Sequence, residues 1–484
     1  MKQKQAANLD SLNEIVLFPF DDYAIPFQQG VRLSLNSYSQ SVRKKSNSVL
    51  SPGDPGTPDD SEVQSYGTVL KVGDELWMWY CAENTLPGDY TRVCFAKSLD
   101  GKNFTRPNLG LVEFNGSKAN NLIDLPVGER VQACIVYYDA DDQDPDRRFK
   151  MCFESPKYGT QMAVAFSTDG LRWNLYSGNP VGPSLEQAGG VKFNGAYYVS
   201  GHGPGHWRPE NGALRQMVTH MSYDFENWTQ ASCLGFRRDP IPPRTYEVGG
   251  HSGPQVHLGS ALWNRGNTIV GFYGMWNGHP SNDRRLTWMD LGLTVSHDGL
   301  HFREPIPDFP IVRAAEIGWK PPPLGDSVAY FPALVQGQGF ENIGAETLYW
   351  YSRWPISDSD GVRVASWPKD RLGFFQSFTG PDSESFIISA SFELENRGVE
   401  VFVNADGIGL HSQLTVSILS ESFEKISGFA SNNSSPLTAS GYYQKIKWGA
   451  ESIITHSTSI RIRIDFHGLR PEDVKLYAIY LKHV

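Results

Sequence analysis

The chain has 484 residues, more than a single hydrophobic core usually contains, so its length predicts two or three domains. Its 43 basic and 53 acidic residues give a formal net charge of -10 without a stripe of Lys and Arg, which argues against nucleic acid and anionic membranes as partners. Aromatic residues make up 12% of the chain, a composition that favours strands and supplies flat faces on which sugar rings stack.

The N-terminal residues, MKQKQAANLDSLNEI, contain no apolar run of the kind found in signal peptides. No other stretch approaches the roughly 20 apolar residues of a membrane span. We therefore expect a cytoplasmic protein, or a secreted or periplasmic one if a leader preceded Met1. The five cysteines lack the spacing of a metal site, so we expect buried free thiols, no metal and no cofactor.

A short turn motif recurs along the first three quarters of the chain. Its copies SLDGKNF, STDGLRW, SYDFENW and SHDGLHF begin at Ser98, Ser167, Ser222 and Ser296, and each follows an apolar run typical of a strand. In such a turn Asp accepts hydrogen bonds from nearby backbone, and Gly adopts a positive φ. The aromatic residue that follows is expected to anchor the outgoing strand in the core.

A pair of strands also recurs, five times in all, as an apolar run, a turn and an aromatic run. The pairs begin at Thr68, Cys134, Gly190, Ala261 and Ala333. Five pairs and four turns predict a five-bladed β-propeller, with SWPKDRLGFF in place of the fifth turn. We expect the N-terminal stretch from EIVLFPF to VRLSLNSYS to supply the strand that closes the ring. The alternative is a set of unrelated β-hairpins.

The sequence pattern changes after about Phe378. The segment SFTGPDSES is polar and contains Gly and Pro, as linkers do. Beyond it, alternating runs such as FIISASFEL and SIRIRIDF predict an antiparallel β-sandwich of jelly-roll type. The sequence therefore predicts an all-β protein, with a propeller over residues 1–378 and a sandwich over 379–484.

The propeller part resembles the five-bladed glycosidases of the invertase, levanase and arabinanase groups (glycoside hydrolase families 32, 43 and 68) and the related mannoside phosphorylases. The resemblance rests on S-x-D-G-x-x-F/W, on VGDELWMWY and on DPDRRFKM, and a sandwich behind the propeller also matches. It implies a glycosidase that hydrolyses or transfers a terminal sugar of an oligo- or polysaccharide, bound in the axial funnel. The motifs are architectural and do not specify the sugar.

One position departs from the family pattern. The motif of the first blade implies an Asp about seven residues before the Gly of the Val72-Gly73-Asp74 turn, where this chain has Tyr66. The invertase motif W-x-N-D-P-N is also absent. Three interpretations stay open: other acids catalyse the reaction, Tyr66 is itself a nucleophile as in sialidases, or the propeller binds carbohydrate without cleaving it.

Glycoside hydrolysis uses two carboxyl groups, one of them protonated. Acidic residues stand near the starts of the first strands of successive units, where a propeller would direct them toward one axis and separate their pKa values. These candidate catalytic residues are Asp60, Glu62, Glu129, Glu186, Glu247 and Asp326. Glu247 is the leading candidate general acid, because it lies in a segment dense in polar groups between Arg244 and His251.

Three loops rich in Gly and Trp follow the second strand of a unit: GHGPGHWRPE, GMWNGHPSND and YSRWPISD. An aromatic face beside His, Arg and Asn suits a sugar, which has an apolar C–H face and polar edges. The candidate substrate-binding residues are Tyr66, His202, His206, Trp207, Arg244, His251, Trp276, His279, Arg353 and Trp354. Phosphorolysis is an alternative, with Arg244 and Arg353 binding phosphate. The broad surfaces of the sandwich would permit a homo-oligomer.

Overall fold

The computed structural model describes residues 14–38, 48–88, 90–202, 215–238, 251–315, 320, 323, 325, 329–354, 361–394, 398–430, 432–434, 436–455 and 459–484. Within these ranges the helices are short 3-10 turns, Pro145–Arg147, Pro156–Tyr158, Arg284–Leu286 and Pro471–Asp473, and the other regular elements are strands. The prediction of an all-β protein is confirmed. No helix in the described ranges has the length and apolar character needed to cross a membrane.

The first seven described strands serve two different parts of the fold. They are β1 (Glu14–Leu17), β2 (Phe27–Gln29), β3 (Val31–Leu35), β4 (Ser48–Leu50), β5 (Glu62–Val72), β6 (Glu75–Glu83) and β7 (Arg92–Ser98). Strands β5, β6 and β7 form an antiparallel meander. Strands β1, β2 and β3 instead pair with strands from the last quarter of the chain.

The next twelve strands form three antiparallel sheets of four strands each, in chain order. The first sheet consists of β8 (Gln132–Tyr138), β9 (Phe149–Glu154), β10 (Met162–Ser167) and β11 (Asn174–Leu175). The second consists of β12 (Glu186–Phe193), β13 (Ala196–His202), β14 (Met217–Ser222) and β15 (Cys233–Phe236). The third consists of β16 (Gly253–Asn264), β17 (Ile269–Gly278), β18 (Trp288–Ser296) and β19 (Pro310–Val312).

A seven-stranded sheet joins the two ends of this series. It contains β20 (Leu334–Ile343), β21 (Glu346–Arg353) and β22 (Val362–Pro368), with β4 paired to β22. Strand β20 meets β5 through a single parallel pair, Gln338 with Thr68, so that the strand order is β4-β22-β21-β20-β5-β6-β7. This junction links the last strand group to the first.

The first strands of the successive groups touch one another in a closed series, from β5 through β8, β12 and β16 to β20 and back to β5. Side-chain hydrogen bonds connect neighbours in this series: Val136 N–H donates to Thr68 Oγ1 at 2.9 Å, and Leu262 N–H donates to Gln338 Oε1 at 2.8 Å. The Ser200 hydroxyl donates to the Ser260 carbonyl at 2.6 Å. These bonds pair backbone groups that would otherwise be buried without partners.

The repeated turn is built as its sequence predicts. In the first copy, Gly101 N–H donates to Ser98 Oγ at 2.9 Å, and Asp100 Oδ1 accepts from Lys102 N–H at 2.8 Å. Gly101 has a φ of 72°, which favours glycine, and its carbonyl accepts from the indole N–H of Trp350 at 2.8 Å. The turn therefore fastens one strand group to the next.

The last eight strands form most of two further sheets. They are β23 (Gly373–Ser377), β24 (Ser385–Ile388), β25 (Val399–Asp406), β26 (Gln413–Ser420), β27 (Gly441–Lys445), β28 (Ile453–Ile454), β29 (Ile460–His467) and β30 (Lys475–His483). One sheet has the order β27-β25-β30-β23-β3, with β1 on β30 and β28 on β25, and the other has the order β2-β24-β29-β26. Apolar side chains from both sheets share one core, including Val401, Val416 and Ile462.

The N-terminal strands differ from the prediction that they close the ring. Leu17 pairs with Ile479, and Val31 pairs with Ser377, so β1 and β3 belong to the sheet that contains β30. The outer position beside β22 is taken by β4 instead. An apolar strand pattern shows that a face is buried but not which sheet covers it. Leu17, which is completely buried, packs in the core of the C-terminal sheets.

A buried ion pair connects the two parts of the structure. Asp370, which is 1% exposed, binds the guanidinium of Arg265 and accepts a hydrogen bond from the hydroxyl of Tyr480 in β30 at 2.9 Å. We expect Asp370→Ala to lower the free energy of unfolding by about 3–5 kcal/mol, because Arg265 would stay buried without its counter-charge.

Urea denaturation measures this loss. The pair of Arg371 and Asp406, whose atoms lie 3.2 Å apart and whose carboxylate is about half exposed, supplies the matched control. Asp406→Ala is expected to cost less than about 1 kcal/mol, because water screens that pair. Equal small losses in both variants would contradict the role assigned to Asp370.

Candidate functional site

Polar and aromatic side chains from several strand groups meet where the first strand of each group begins and the second ends. These two points are adjacent in an antiparallel pair, as the register of Glu186 with His202 and of Leu334 with Arg353 shows. The first strands touch in a ring, so their starting ends bring side chains from different groups together. We call this set of residues the central cluster.

The carboxylate of Glu186 is stabilised in the central cluster by a direct contact with His202. His202 Nε2 lies 2.5 Å from Glu186 Oε2, and the imidazole is only 2% exposed. Burial alone would raise the pKa of Glu186, but the hydrogen bond from His202, together with the nearby Arg215, lowers it to about 2. Glu186 is therefore ionised throughout the neutral range.

Glu154, the last residue of β9, has the opposite environment. Burial and the negative charge of Glu186 raise the pKa of Glu154 to about 7, and Arg130 offsets part of that rise. Among the described residues, no hydrogen-bond partner reaches its buried Oε2 atom. Two neighbouring carboxyl groups thus differ in pKa, with one held ionised and the other largely protonated below about pH 7.

An aromatic platform lies next to these acids. The ring of His257 packs between two indoles, with centroids 5.9 Å from Trp276 and 5.2 Å from Trp354. His251 stacks on Trp276 at 5.9 Å, and its carbonyl accepts the indole N–H of Trp276 at 3.0 Å. Burial, followed by the charges of His202 and Arg215, lowers the pKa of His257 well below its usual value, so this ring is neutral.

Two arginines border the platform. The guanidinium of Arg215 lies 4.7 Å from the ring centre of Trp276, and that of Arg284 lies 4.6 Å from Trp354. Burial and the charge of Arg284 lower the pKa of Arg215 to about 10, against the opposing effect of Glu186. Burial and both guanidinium groups also lower the pKa of His251. The central cluster thus has an acidic side and a basic side.

Tyr66 and Glu62 complete the cluster from β5. Both line a small cavity, together with Arg353 and Trp354. Burial and the charge of Glu186 raise the pKa of Tyr66, so its phenol stays protonated at neutral pH. A phenol nucleophile needs an adjacent base to take its proton, and Tyr66 stays a prediction in that role. The pKa of Glu62 is raised by burial and by the neighbouring Glu83.

Three other predicted residues have different surroundings. The carboxylate of Asp60 accepts hydrogen bonds at 2.7 Å from the backbone N–H groups of Gly56 and Thr85, so it shapes the loop before β5. Glu129 is exposed in the turn before β8. His279 is also exposed, and its Nδ1 lies 2.7 Å from the hydroxyl of Ser281. The structure does not place these side chains with Glu154 and Glu186.

Five predicted site residues lie outside the described residues and stay predictions. They are His206, Trp207, Arg244, Glu247 and Asp326. Conversely, the central cluster contains four residues that the sequence did not indicate: Glu154, Arg215, His257 and Arg284. One signal could have revealed Glu154, since it ends an apolar second strand, as His202 and Arg353 do in their own groups.

The remaining predictions for the site concern metals and thiols. Within the described ranges, no group of three or more His, Cys, Asp or Glu side chains could hold a metal ion. All five cysteines are free thiols, and four of them are buried, whereas Cys233 is partly exposed. The thiols of Cys81 and Cys134 both point at the carbonyl of Tyr66, at 3.3 and 3.6 Å.

No family model matches the sequence, and no curated protein matches it. The structure is similar to a glycosyl hydrolase from Bacteroides ovatus, with 14% identity, 70% of this chain and 95% of that chain covered, and a TM-score of 0.44. It is also similar to a structure from work on the GH130 family of mannoside phosphorylases, at 14% identity, with coverage of 69% and 95% and a TM-score of 0.42. The comparison with a fructofuranosidase from Schwanniomyces occidentalis covers 92% of this chain and 99% of that chain, at 13% identity and a TM-score of 0.38. These structures are glycoside hydrolase-like proteins, and an activity for this chain has to follow from its own site.

Proposed function

We propose that this protein is a glycosidase that hydrolyses or transfers a terminal sugar of an oligo- or polysaccharide. The observation that carries the proposal is the pair of carboxyl groups with separated pKa values, about 7 for Glu154 and about 2 for Glu186. Glycoside hydrolysis needs one protonated and one ionised carboxyl group at neutral pH. The resemblance of the turn and strand motifs to five-bladed glycosidases supports the same class.

For the architecture, we propose a five-bladed propeller with a β-sandwich. The closed series of five first strands supports the blade number, since each first strand begins a four-stranded group or its equivalent in the seven-stranded sheet. The sandwich then begins before the predicted boundary at residue 378, because β23 (Gly373–Ser377) pairs with β3 and β30. The pairing of β1, β2 and β3 adds residues 14–35 to the sandwich.

In the proposed reaction, Glu154 donates its proton to the glycosidic oxygen as the bond from that oxygen to the anomeric carbon breaks. Glu186, held ionised by His202, either takes a proton from the attacking water or attacks the anomeric carbon itself. In the second case, water or another sugar hydroxyl later displaces the Glu186 ester, and Glu154 takes up the proton of that acceptor. The two-step route restores both carboxyl groups. In the direct route, Glu186 releases to solvent the proton taken from water, and Glu154 takes up a proton from solvent before the next turnover.

Within the platform, Trp354 is partly exposed and suits the apolar face of the sugar ring. Trp276 and His257, which are 2% and 4% exposed, support Trp354 from the interior of that platform. Arg284 and Arg215 lie at its border, where guanidinium groups can donate hydrogen bonds to hydroxyls. Binding without catalysis would leave unexplained why the buried Oε2 of Glu154 has no partner among the described residues, because such a group costs free energy in a site that only binds.

Phosphorolysis is the second candidate, and the basic side of the central cluster favours it. The charge of Arg284 lowers the pKa of Arg215, and both guanidinium groups lower the pKa of His251, so an oxyanion bound among them would relieve that repulsion. In that case phosphate replaces water as the nucleophile, while Glu154 keeps its role as the acid.

A panel of p-nitrophenyl glycosides and of mannan, arabinan and fructan oligosaccharides tests the proposal, with and without inorganic phosphate. We expect release of a monosaccharide in the absence of phosphate. Release of a sugar phosphate only when phosphate is present would instead identify a phosphorylase. Binding of an oligosaccharide by calorimetry, without release of sugar under either condition, would overturn both candidates in favour of a binding module.

A further inference from the structure

A second cavity, here called the outer cavity, lies beside the central cluster on the other face of β17. Trp276 and Asn277 are neighbours on that strand, so their side chains point to opposite faces. Trp276 belongs to the central cluster, and Asn277 lines the outer cavity. The outer cavity has a volume of about 430 Å³, within the usual range for small-ligand sites.

Trp288, the first residue of β18, forms one wall of the outer cavity. Its side chain is 42% exposed, so a large part of the indole is accessible to a ligand. The carboxyl group of Asp290 accepts a hydrogen bond from its indole, and Phe331 packs against it with ring centres 5.9 Å apart. These contacts fix the indole and leave part of its surface open to the cavity.

The polar lining suits hydroxyl groups. Arg238, whose side chain is 3% exposed, donates to Asp308 Oδ1 at 2.7 Å and to Asn277 Oδ1 at 3.1 Å. It also donates to the carbonyl of Trp276 at 2.6 Å, which connects the outer cavity to the central cluster. The lining holds two carboxyl groups, Asp290 and Asp308, against one guanidinium. This balance favours a neutral ligand over an anionic one.

We propose that the outer cavity is a second sugar-binding subsite, which takes a neutral sugar unit of the oligosaccharide whose terminal unit lies in the central cluster. The two sites share β17, and Arg284 at the central platform is only four residues from Trp288. Gly278, the last residue of β17, also lines the outer cavity, so an oligosaccharide that contacts both sites must pass around this strand end. This inference rests on the proposed function for its substrate class and adds a determinant of substrate length.

The test compares Trp288→Ala with wild type on two substrates of the same sugar, a p-nitrophenyl monoglycoside and a tetrasaccharide from the panel. Trp288→Ala is expected to lower kcat/KM on the tetrasaccharide roughly 3- to 10-fold, through a higher KM, because an indole face is lost. The monoglycoside does not reach the outer cavity and should be turned over normally. Trp288→Phe is expected to restore most of the loss, and Tyr223→Ala, which removes a 75% exposed aromatic ring elsewhere, should change neither rate.

The outcomes separate this proposal from the proposed function. Equal loss on both substrates, or no loss on either, overturns the outer subsite while the glycosidase proposal stands. If the wild type releases no sugar, titration calorimetry with mannotetraose, arabinotetraose and nystose replaces kinetics. Weaker binding of a tetrasaccharide by Trp288→Ala then supports the subsite although the hydrolytic function has failed. Unchanged binding, or no binding by the wild type, overturns the subsite.

Discussion

Replacing Glu154 by Gln is expected to lower kcat/KM about 10²- to 10⁴-fold on glycosides with poor leaving groups, the usual contribution of a general acid. The amide keeps the shape of the side chain but has no acidic proton to donate to the glycosidic oxygen. Burial and the charge of Glu186 raise the pKa of Glu154 to about 7, so the wild-type side chain carries that proton in neutral and mildly acidic solution. Steady-state rates on an alkyl glycoside and on a 2,4-dinitrophenyl glycoside of the same sugar measure the effect.

The dinitrophenyl substrate is the internal control, because its leaving group departs with little protonation and should lose much less rate. Thermal unfolding shows whether the variant is intact. The folded-state pKa of Glu154 lies above its ordinary value of 4.5, so its ionisation destabilises the wild type as pH rises from about 4.5 to 7. Glu154→Gln avoids that loss and should unfold at a higher temperature than the wild type at pH 8. Equal rate losses on both substrates would rule out Glu154 as the acid.

Glu186→Gln is expected to reduce turnover by a similarly large factor, because the ionised group that acts as base or nucleophile is lost. It should also change the pH dependence of what remains. Wild-type activity is expected to fall as pH rises through about 7, where Glu154 loses its proton. Without the negative charge of Glu186, the pKa of Glu154 falls, and the alkaline limb of the pH profile moves to lower pH.

The pH profile of residual activity on the alkyl glycoside, whose leaving group needs the proton of Glu154, measures this shift. Glu113→Gln, which removes an exposed carboxylate far from the strand ends in sequence, is the matched control and should leave the profile unchanged. An unshifted alkaline limb in Glu186→Gln would show that the two carboxyl groups do not interact. Full activity in Glu186→Gln would contradict its catalytic role.

Local features of the fold could be predicted from the sequence because their causes are local. The turn at Ser98 needs only an Asp, a Gly and an aromatic residue at fixed spacing, and its hydrogen bonds appear as expected. The partner of β1 could not be predicted in this way. Its alternation of apolar residues fits any sheet with an open edge, and the choice of β30 depends on the shape of a core assembled from distant segments.

In the candidate site, too, local patterns could be predicted from the sequence, and contacts between distant segments could not. Glu186, His202 and Trp276 were predicted because each lies at a strand end or in a loop with an evident polar or aromatic pattern. Glu154 was missed because its special property, a carboxyl group buried beside another carboxylate, arises only when β9 and β12 are adjacent. His257 was missed because nothing in its own segment indicates that two tryptophans from different segments will enclose it.

The pairing of β1 with β30 has a consequence for biosynthesis. Almost the whole chain is translated between Leu17 and its partner Ile479, which takes on the order of half a minute at ordinary ribosomal speeds. During that delay the face of β1 that carries Ile15 and Leu17 has no native cover, although the strand groups of the ring, which pack against Val16, can already assemble. A chaperone that shields the emerging N-terminal segment should therefore raise the yield of folded protein more than one that acts on the released chain.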